Sequence, residues 1–327
     1  MKNTRFKIAC YVALVTCMSV VTPFAAAQSF PSQSIRFIVP AIAGAPSDTL
    51  PRSLIEPLGR ALGQAIVVEN RVGGDGIIGA EACVRAAPDG HTICSAGNSM
   101  MSLNPVIRAK LPYDPIKDVA GVVFSGFFDS VLVAHSSVAA NNVNQLVDFA
   151  KANPNKVNWG HFGLNTTGNF YQSWLRKSRG GEFFPVPYKT TTQVLQALLA
   201  GEAQVAVYAW PSLLPHLKAG KLKALAVTAD QRLPFLANVP TFAEEGIKLP
   251  LRGWFGYNVP SATPRPVVNR IHNEIRKIMA DATYKEKVLN VQGLAGKDWS
   301  PEEFDAFVRT ELKDMAELIN FLGIKPE

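Results

Sequence analysis

The segment from Ile35 to Asp48 joins a short strand-like run to the start of a helix. Its first five residues, Ile35–Val39, are β-branched and aromatic, which is the composition of a buried strand. Pro40 ends that run because proline cannot donate to a sheet ladder. Ser47 and Asp48 can each cap the helix that follows. A strand, a loop and a helix N-terminus in this order can direct backbone N–H groups at an anion, although most α/β units contain such a loop.

The same order of elements recurs further along the chain. Val157–Gly160 reads as a strand and leads through a polar loop, Gly163–Asn169, into an aromatic helix. Strands that alternate with helices at this spacing predict βαβ units and parallel sheets. The length of 327 residues exceeds what one core usually carries, which favours two domains. We predict one lobe from residues 28–126 plus 250–327 and a second lobe from residues 127–249, with a hinge and a cleft between them.

The first 27 residues have the pattern of a secretory signal peptide. A positively charged start precedes the apolar run Ile8–Val21, and small residues predict cleavage after Ala27. The run is too short to span a bilayer, which takes about 20 residues. A lipoprotein site at Cys17 is the alternative, but Thr16 stands where a small residue is preferred. The sequence therefore predicts an exported, periplasmic protein.

Charge and motif content narrow the classes of function. The net charge is +7, and three of the positively charged residues lie in the predicted signal. No Lys/Arg block is interleaved with aromatic residues, so nucleic-acid binding is not expected. Cys83 and Cys94 either pair in an oxidising compartment or are small buried hydrophobes, and the second interpretation is favoured. Neither has metal-ligand spacing, so we expect no metal and no cofactor.

No GxSxG, HExxH or Walker A motif occurs in the sequence, so we do not expect an enzyme. A secreted hydrolase would need His161 to meet a hydroxyl such as Thr166 or Ser47 and the Asp48 carboxylate in three dimensions. That arrangement remains an alternative only if the fold brings these residues together, because nothing in their sequence spacing does so.

Several motifs together resemble one family. They are IRFIVP (35–40), GQAIVVENR (63–71), GAE (79–81), APDGHT (87–92), LPYDP (111–115), VPYK (186–189) and PHLKAGKLKALAV (215–227). From about Phe30 to Glu327 the chain resembles the periplasmic substrate-binding receptors of tripartite tricarboxylate transporters, the Bug-type family. The resemblance implies an α/β, two-lobed periplasmic-binding-protein (Venus-flytrap) fold in which each lobe is a mostly parallel sheet flanked by helices.

The resemblance also implies a function and its partners. A monomer of this kind captures a small organic carboxylate in the cleft and delivers it to a membrane permease with a large and a small subunit. The carboxylate is typically held by loop N–H groups, hydroxyls and ordered waters. An accessory protein that presents its ligand-bound form to a membrane sensor is the alternative, since the binding chemistry would be the same.

The loops of this chain depart from the family pattern. Where the family usually has Gly-Gly-Gly-Thr-Asp, the chain has 44–48, Gly-Ala-Pro-Ser-Asp, with two fewer glycines and one fewer N–H donor. Tyr208 and Trp210 stand where an aspartate is often found and could stack on a flat ligand, which favours an aromatic or larger carboxylate. Helix capping, surface turns and core packing are the alternative roles for these residues. The predicted ligand-binding residues are Ala43, Gly44, Ser47, Asp48, Asn98, Ser99, Asn165, Thr166, Thr167, Asn169, Thr190 and Tyr208.

Overall fold

The computed structural model describes residues 30–249 and 251–326, so the signal peptide predicted for residues 1–27 lies outside the described residues. The strands of the described part are β1 (Ile35–Val39), β2 (Ile66–Asn70), β3 (Thr92–Gly97), β4 (Val119–Phe128), β5 (Ser130–His135), β6 (Val157–His161), β7 (Phe183–Pro187), β8 (Val205–Ala209), β9 (Leu222–Val227), β10 (Gly253–Pro260) and β11 (Leu294–Ala295). The helices are α1 (Pro46–Leu62), α2 (Ile77–Val84), α3 (Asn104–Ile107), α4 (Val143–Ala152), α5 (Thr167–Arg179), α6 (Thr191–Ala200), α7 (Trp210–Lys218), α8 (Arg265–Ala280), α9 (Ala282–Tyr284) and α10 (Pro301–Leu322). Short 3₁₀ turns lie at Gly74–Gly76 and Pro234–Leu236, and π-helical turns lie at Ser99–Leu103 and Lys285–Leu289.

The strands form two sheets. One has the order β11-β4-β10-β3-β1-β2 and the other has the order β7-β6-β8-β5-β9. In the first, β1 runs parallel to β2 and β3, whereas β10 is antiparallel to β3 and β4, and β11 is antiparallel to β4. In the second, β6 runs parallel to β7 and β8, whereas β5 is antiparallel to β8 and β9.

The predicted α/β architecture with two sheets flanked by helices is confirmed, with one correction. The sheets are mixed rather than mostly parallel. The reason is that the strands by which the chain passes between the sheets, β4, β5 and β10, run antiparallel to their neighbours. The parallel arrangement that the alternation of elements predicts is present where β1 pairs with β2 and β3, and where β6 pairs with β7 and β8.

Helix α1 shows how the sequence pattern becomes packing. Leu50, Leu54 and Leu58 recur at the helical period and are fully buried against the first sheet. Pro46 stands in the first turn, where its missing N–H costs no helical bond. Gly63 ends the helix in the left-handed conformation, with φ of 73°. This helix therefore fixes the loop that precedes it, which lies at the edge of the first sheet.

The chain passes between the sheets at two places. Asp129 separates β4 from β5, and Arg252 stands immediately before β10. The Arg252 Nε donates to Asp129 Oδ1 at 2.9 Å, and its guanidinium also contacts the Asp230 carboxylate. The two crossing segments are thus joined by a buried ion pair. The lobe limits expected at residues 126/127 and 249/250 stay a prediction.

Helix α10 packs on both halves of the molecule. Phe304 and Val308 lie in the core of the first sheet, whereas Met315 and Leu318 lie in the core of the second. The tail of the chain, expected to pack with the first lobe, therefore connects the two cores.

Cys83 and Cys94 are joined in a disulfide, with their Cα atoms 6.1 Å apart. Of the two alternatives left open by the sequence, pairing is the one that the structure contains. The bond links helix α2 to the central strand β3 and is fully buried.

Candidate functional site

The carboxyl ends of β1, β2 and β3 lie at one edge of the first sheet because the three strands are parallel. The loops that follow them surround a cavity of about 560 Å³. Ser47 reaches it from the first turn of α1, Gly73–Gly76 from the second loop, and Asn98 and Ser99 from the third. Asn165 completes the wall from the loop after β6 in the other sheet. Such a crevice at a switch point of strand order is where α/β folds bind ligands.

Asp48 holds the first of these loops in shape. Its buried carboxylate accepts hydrogen bonds from Gly44 N at 2.8 Å, Arg52 Nε at 2.8 Å and Asn70 Nδ2 at 2.7 Å. Burial acts to raise the pKa of this carboxyl, but the three hydrogen bonds outweigh it and the pKa is lowered. The Asp48 carboxylate therefore takes its hydrogen bonds from within the protein. Neither Asp48 nor Gly44 lines the cavity.

We expect Asp48→Asn to lower the free energy of unfolding by about 1–3 kcal/mol at pH 7, since it weakens charge-assisted hydrogen bonds to three donors. The folded-state pKa of Asp48 is lowered, so its contribution is present above the ordinary carboxyl pKa and is lost as the pH falls through the folded-state value. Urea denaturation at pH 7 and pH 3 should show the gap between the variant and the wild type closing at low pH. An equal gap at both pH values would contradict this role.

The second loop is a wall that the sequence prediction omitted. Gly73, Gly74 and Gly76 have positive φ of 132°, 57° and 91°, and Asp75 has a φ of 53°. Glycine adopts positive φ without strain, and aspartate tolerates it better than most residues, so the sequence Gly-Gly-Asp-Gly suits four consecutive positive φ values. Asn104 Nδ2 donates to the Asp75 carbonyl oxygen at 3.0 Å, which fixes the loop against the third wall. The run Gly-Gly-Asp-Gly, separated from the end of β2 by two residues, was the available signal.

The third wall begins at the end of β3. Ser95 is 6% exposed, lines the cavity, and its hydroxyl has no hydrogen-bond partner within the described part of the chain. Asn98 and Ser99 follow, and Ser102 Oγ donates to the Asn98 carbonyl oxygen at 2.9 Å inside the π-helical turn. π-Helical turns are frequent at functional sites. A buried hydroxyl without a partner is costly unless a ligand or water satisfies it.

The loop from the second sheet contributes Asn165 alone. Thr166 Oγ1 donates to the Gly163 carbonyl oxygen at 2.8 Å, and Asn169 Nδ2 donates to the Leu164 carbonyl oxygen at 2.8 Å. These side chains hold their own loop. Helix α5 consequently begins at Thr167 without a side-chain cap.

The other predicted residues lie elsewhere. Thr190 caps α6 by accepting from Gln193 N at 3.2 Å. Tyr208 is half-buried at the end of β8, and burial raises its pKa. Trp210 packs on Phe235 with ring centroids 4.1 Å apart. The predicted residues that do not line this cavity are Ala43, Gly44, Asp48, Thr166, Thr167, Asn169, Thr190 and Tyr208.

Two aromatic side chains reach the cavity where the sequence prediction had none. Phe128 ends β4 and Phe255 lies near the start of β10, and their rings stack with centroids 5.1 Å apart at an interplanar angle of 29°. Both rings are partly exposed. The apolar part of the cavity lining also includes Met100, Leu103 and Val72.

Asp75 is the one charged residue among the described residues that line the cavity, and Arg108 NH2 contacts its carboxylate at 2.7 Å. The polar lining consists otherwise of serine and asparagine side chains. His161 is buried, and its Nδ1 lies 3.0 Å from the Gly163 carbonyl oxygen in its own loop. Within residues 30–249 and 251–326, no group of three or more His, Cys, Asp or Glu side chains is placed to hold a metal ion. No helix in that part is both long and apolar enough to cross a bilayer.

Comparison with known proteins places this architecture among solute receptors. A family model described as the tripartite tricarboxylate transporter family receptor matches residues 50–324. Protein BugT of Bordetella pertussis is 26% identical, with 91% of this chain and 92% of that protein aligned. The structure of R. palustris Rpa4515 with adipate is 26% identical with a TM-score of 0.76, covering 91% of this chain and 100% of that one.

The periplasmic binding protein BugD is 27% identical with a TM-score of 0.74, covering 91% of this chain and 100% of that chain. These similarities confirm the two-lobed periplasmic-binding-protein fold and the resemblance that the sequence motifs indicated.

Proposed function

The chain belongs to the tripartite tricarboxylate transporter receptor family, and from that premise we propose that it is an extracytoplasmic receptor for a small organic carboxylate. The ligand occupies the cavity between the loops at Ser47, Asn98 and Ser99 and the facing loop at Asn165. The relative crystallised with adipate supports a carboxylate ligand for this chain.

The observation that carries the proposal is the composition of the cavity. Ser47, Ser95, Asn98 and Ser99 come from one sheet and Asn165 comes from the other, so a ligand in the cavity contacts both lobes. Neutral hydroxyl and amide donors can hold a carboxylate without a cationic side chain, because a carboxylate accepts up to four hydrogen bonds. A ligand that bridges both loops favours the closed arrangement of the lobes, because it contacts the two halves only together.

Export and delivery complete the proposed function. Cleavage of the signal after Ala27 releases the mature chain into the periplasm, where it acts as a monomer. The loaded receptor hands its ligand to a permease with a large and a small membrane subunit. Mass spectrometry of the exported protein should give a mature N-terminus at Gln28. Co-purification with the permease pair, in preference to a membrane sensor kinase, distinguishes transport from sensing.

A thermal-shift screen against monocarboxylates, dicarboxylates and aromatic acids tests the binding function. A ligand at a hundredfold excess over its dissociation constant should stabilise the folded protein by about 2.7 kcal/mol. Ser95→Ala should weaken the stabilising ligand by roughly tenfold, since it removes one buried hydroxyl from the site. Ser136→Ala, at an exposed position, is the matched control. The proposal is contradicted if no carboxylate stabilises the wild type.

A further inference from the structure

We infer that the ligand of this receptor is an aromatic monocarboxylate whose ring packs on Phe128 and Phe255. This inference rests on the proposed function, and it identifies the two phenylalanines as specificity-determining residues. The cavity lining combines these two rings with the hydroxyl and amide groups of Ser95, Asn98 and Ser99. Phe255 is opposite Gly97 in the register of β10 and β3, so its ring lies beside that polar segment. A ligand that carries a flat apolar ring next to a carboxylate matches both kinds of lining group.

The stacked pair is built into the crossing strands. Phe128 is opposite Gly253 in the register of β4 and β10, and a Cβ on Gly253 would lie 1.8 Å from Phe128 Cζ. Glycine at 253 therefore lets the Phe128 ring lie directly over the neighbouring backbone. Phe255, two residues along the same strand, completes the stack. The partly exposed rings offer a third aromatic group an offset-stacked or edge-on position.

The segment from Ser95 to Ser99 provides hydrogen-bond donors for one carboxylate. The Ser95 hydroxyl is nine-tenths buried, lines the cavity and has no partner in the described part of the chain. Asn98 and Ser99 lie a few residues along the same segment, so the donors are concentrated at the end of β3. A carboxylate there accepts a hydrogen bond from the buried hydroxyl, which would otherwise depend on water for a partner.

Asp75 sets the charge that the site accepts. It is the one charged residue among the described lining residues, and no lysine, arginine or histidine in that set offsets it within the cavity. The Arg108 contact neutralises part of its charge from outside the cavity. A second carboxylate placed beside Asp75 would meet a like charge, and the repulsion is moderate because the Asp75 side chain is half exposed to solvent. The electrostatics therefore favour a monoanion over a dianion.

Calorimetric titration with a matched series tests the inference. The probes are benzoate, cinnamate, cyclohexanecarboxylate, terephthalate and adipate. We expect benzoate or cinnamate to bind more tightly than cyclohexanecarboxylate, which has a puckered ring, and than terephthalate, which has a second carboxylate. Phe128→Leu and Phe255→Leu should each lower the affinity for the aromatic acids by roughly tenfold, because leucine keeps much of the apolar area but removes the ring stacking. Phe184→Leu, at an exposed position on β7, should leave binding unchanged.

Asp75→Asn tests the charge argument, and asparagine tolerates the positive φ of this position. It should raise the affinity for terephthalate by about two- to fivefold while changing that for benzoate little. The inference is overturned if adipate binds most tightly and the phenylalanine variants leave its affinity unchanged, an outcome that leaves the receptor function standing. If none of the five acids binds and the wider carboxylate screen is also negative, the receptor function itself fails. Circular dichroism of each variant confirms that it is folded.

Discussion

Replacing Arg252 by methionine should lower the free energy of unfolding by about 3–5 kcal/mol at pH 8, because it leaves the buried Asp129 carboxylate without its partner. Asp129 is 3% exposed, and the Arg252 guanidinium contacts it through both Nε and NH2. Burial raises the pKa of Asp129, and the charge of Arg252 opposes that rise. Without Arg252 the pKa rises further, so the loss is greatest at high pH and shrinks as Asp129 takes up a proton.

The double variant Asp129→Asn with Arg252→Met is the matched control. It removes both charges, so it should recover much of the stability that the single variant loses. Urea denaturation of the wild type, the two single variants and the double variant gives the coupling between the residues. If the double variant loses the sum of the two single losses, the ion pair at the crossing segments is not what stabilises them. Asp230 also contacts the Arg252 guanidinium but is largely exposed, so its replacement should change the free energy of unfolding little.

Replacing Glu311 by glutamine should raise the free energy of unfolding by about 3 kcal/mol at pH 8, since burial raises the pKa of Glu311 to about 7. The residue lies in the middle of α10, is 6% exposed, and accepts a hydrogen bond from Trp254 Nε1 at 2.8 Å. The folded-state pKa lies above the ordinary value of 4.5, so the folded protein binds this proton more tightly than the unfolded chain. Stability should therefore fall as the pH rises from about 4.5 to 7.

Glutamine keeps an oxygen acceptor for Trp254 and carries no charge to desolvate. The advantage of Glu311→Gln should therefore vanish near pH 4.5, where the wild-type carboxyl is protonated in the folded state. Denaturation at half-unit intervals from pH 4.5 to 8 measures both slopes. Glu317→Gln, on the exposed side of the same helix, is the control and should change stability by less than about 0.5 kcal/mol. A wild-type curve that is flat over this range would contradict the assignment.

The sequence predicted the parts of the fold that depend on local pattern. The leucine spacing of α1 and the apolar run of β1 follow from helical and strand periodicity, and both are present. The segments that follow parallel strands meet at one edge of a sheet, which is why Ser47, Asn98 and Ser99 reach one cavity, and Asn165 reaches it from the other sheet. The antiparallel pairings were missed because β4 and β10 are distant in sequence and their direction depends on how the chain crosses between the sheets.

The rest of the site depends on register and distance. Phe128 and Phe255 reach the cavity because β4 and β10 pair in a particular register, with Gly253 opposite Phe128. Asp48 as a ligand contact stays a prediction, and the structure adds that its carboxylate accepts hydrogen bonds from Gly44, Arg52 and Asn70, which the sequence did not indicate. A sequence motif gives the residue types, whereas the partner of each side chain depends on the three-dimensional fold.

The Cys83–Cys94 pair illustrates the same limit. Two buried cysteines eleven residues apart fit either interpretation, and the fold brings their Cα atoms to 6.1 Å, within the range that a disulfide requires.

The most direct test is calorimetric titration of the best carboxylate from the screen against the wild type and against Ser99→Trp, which places an indole in the cavity. The wild type should bind one ligand per chain, and Ser99→Trp should lose binding while remaining folded by circular dichroism. Ser136→Trp, exposed and outside the cavity, should bind as the wild type does. Unchanged binding by Ser99→Trp would mean that the carboxylate site lies elsewhere, and the cavity between the two sheets would not be the binding site.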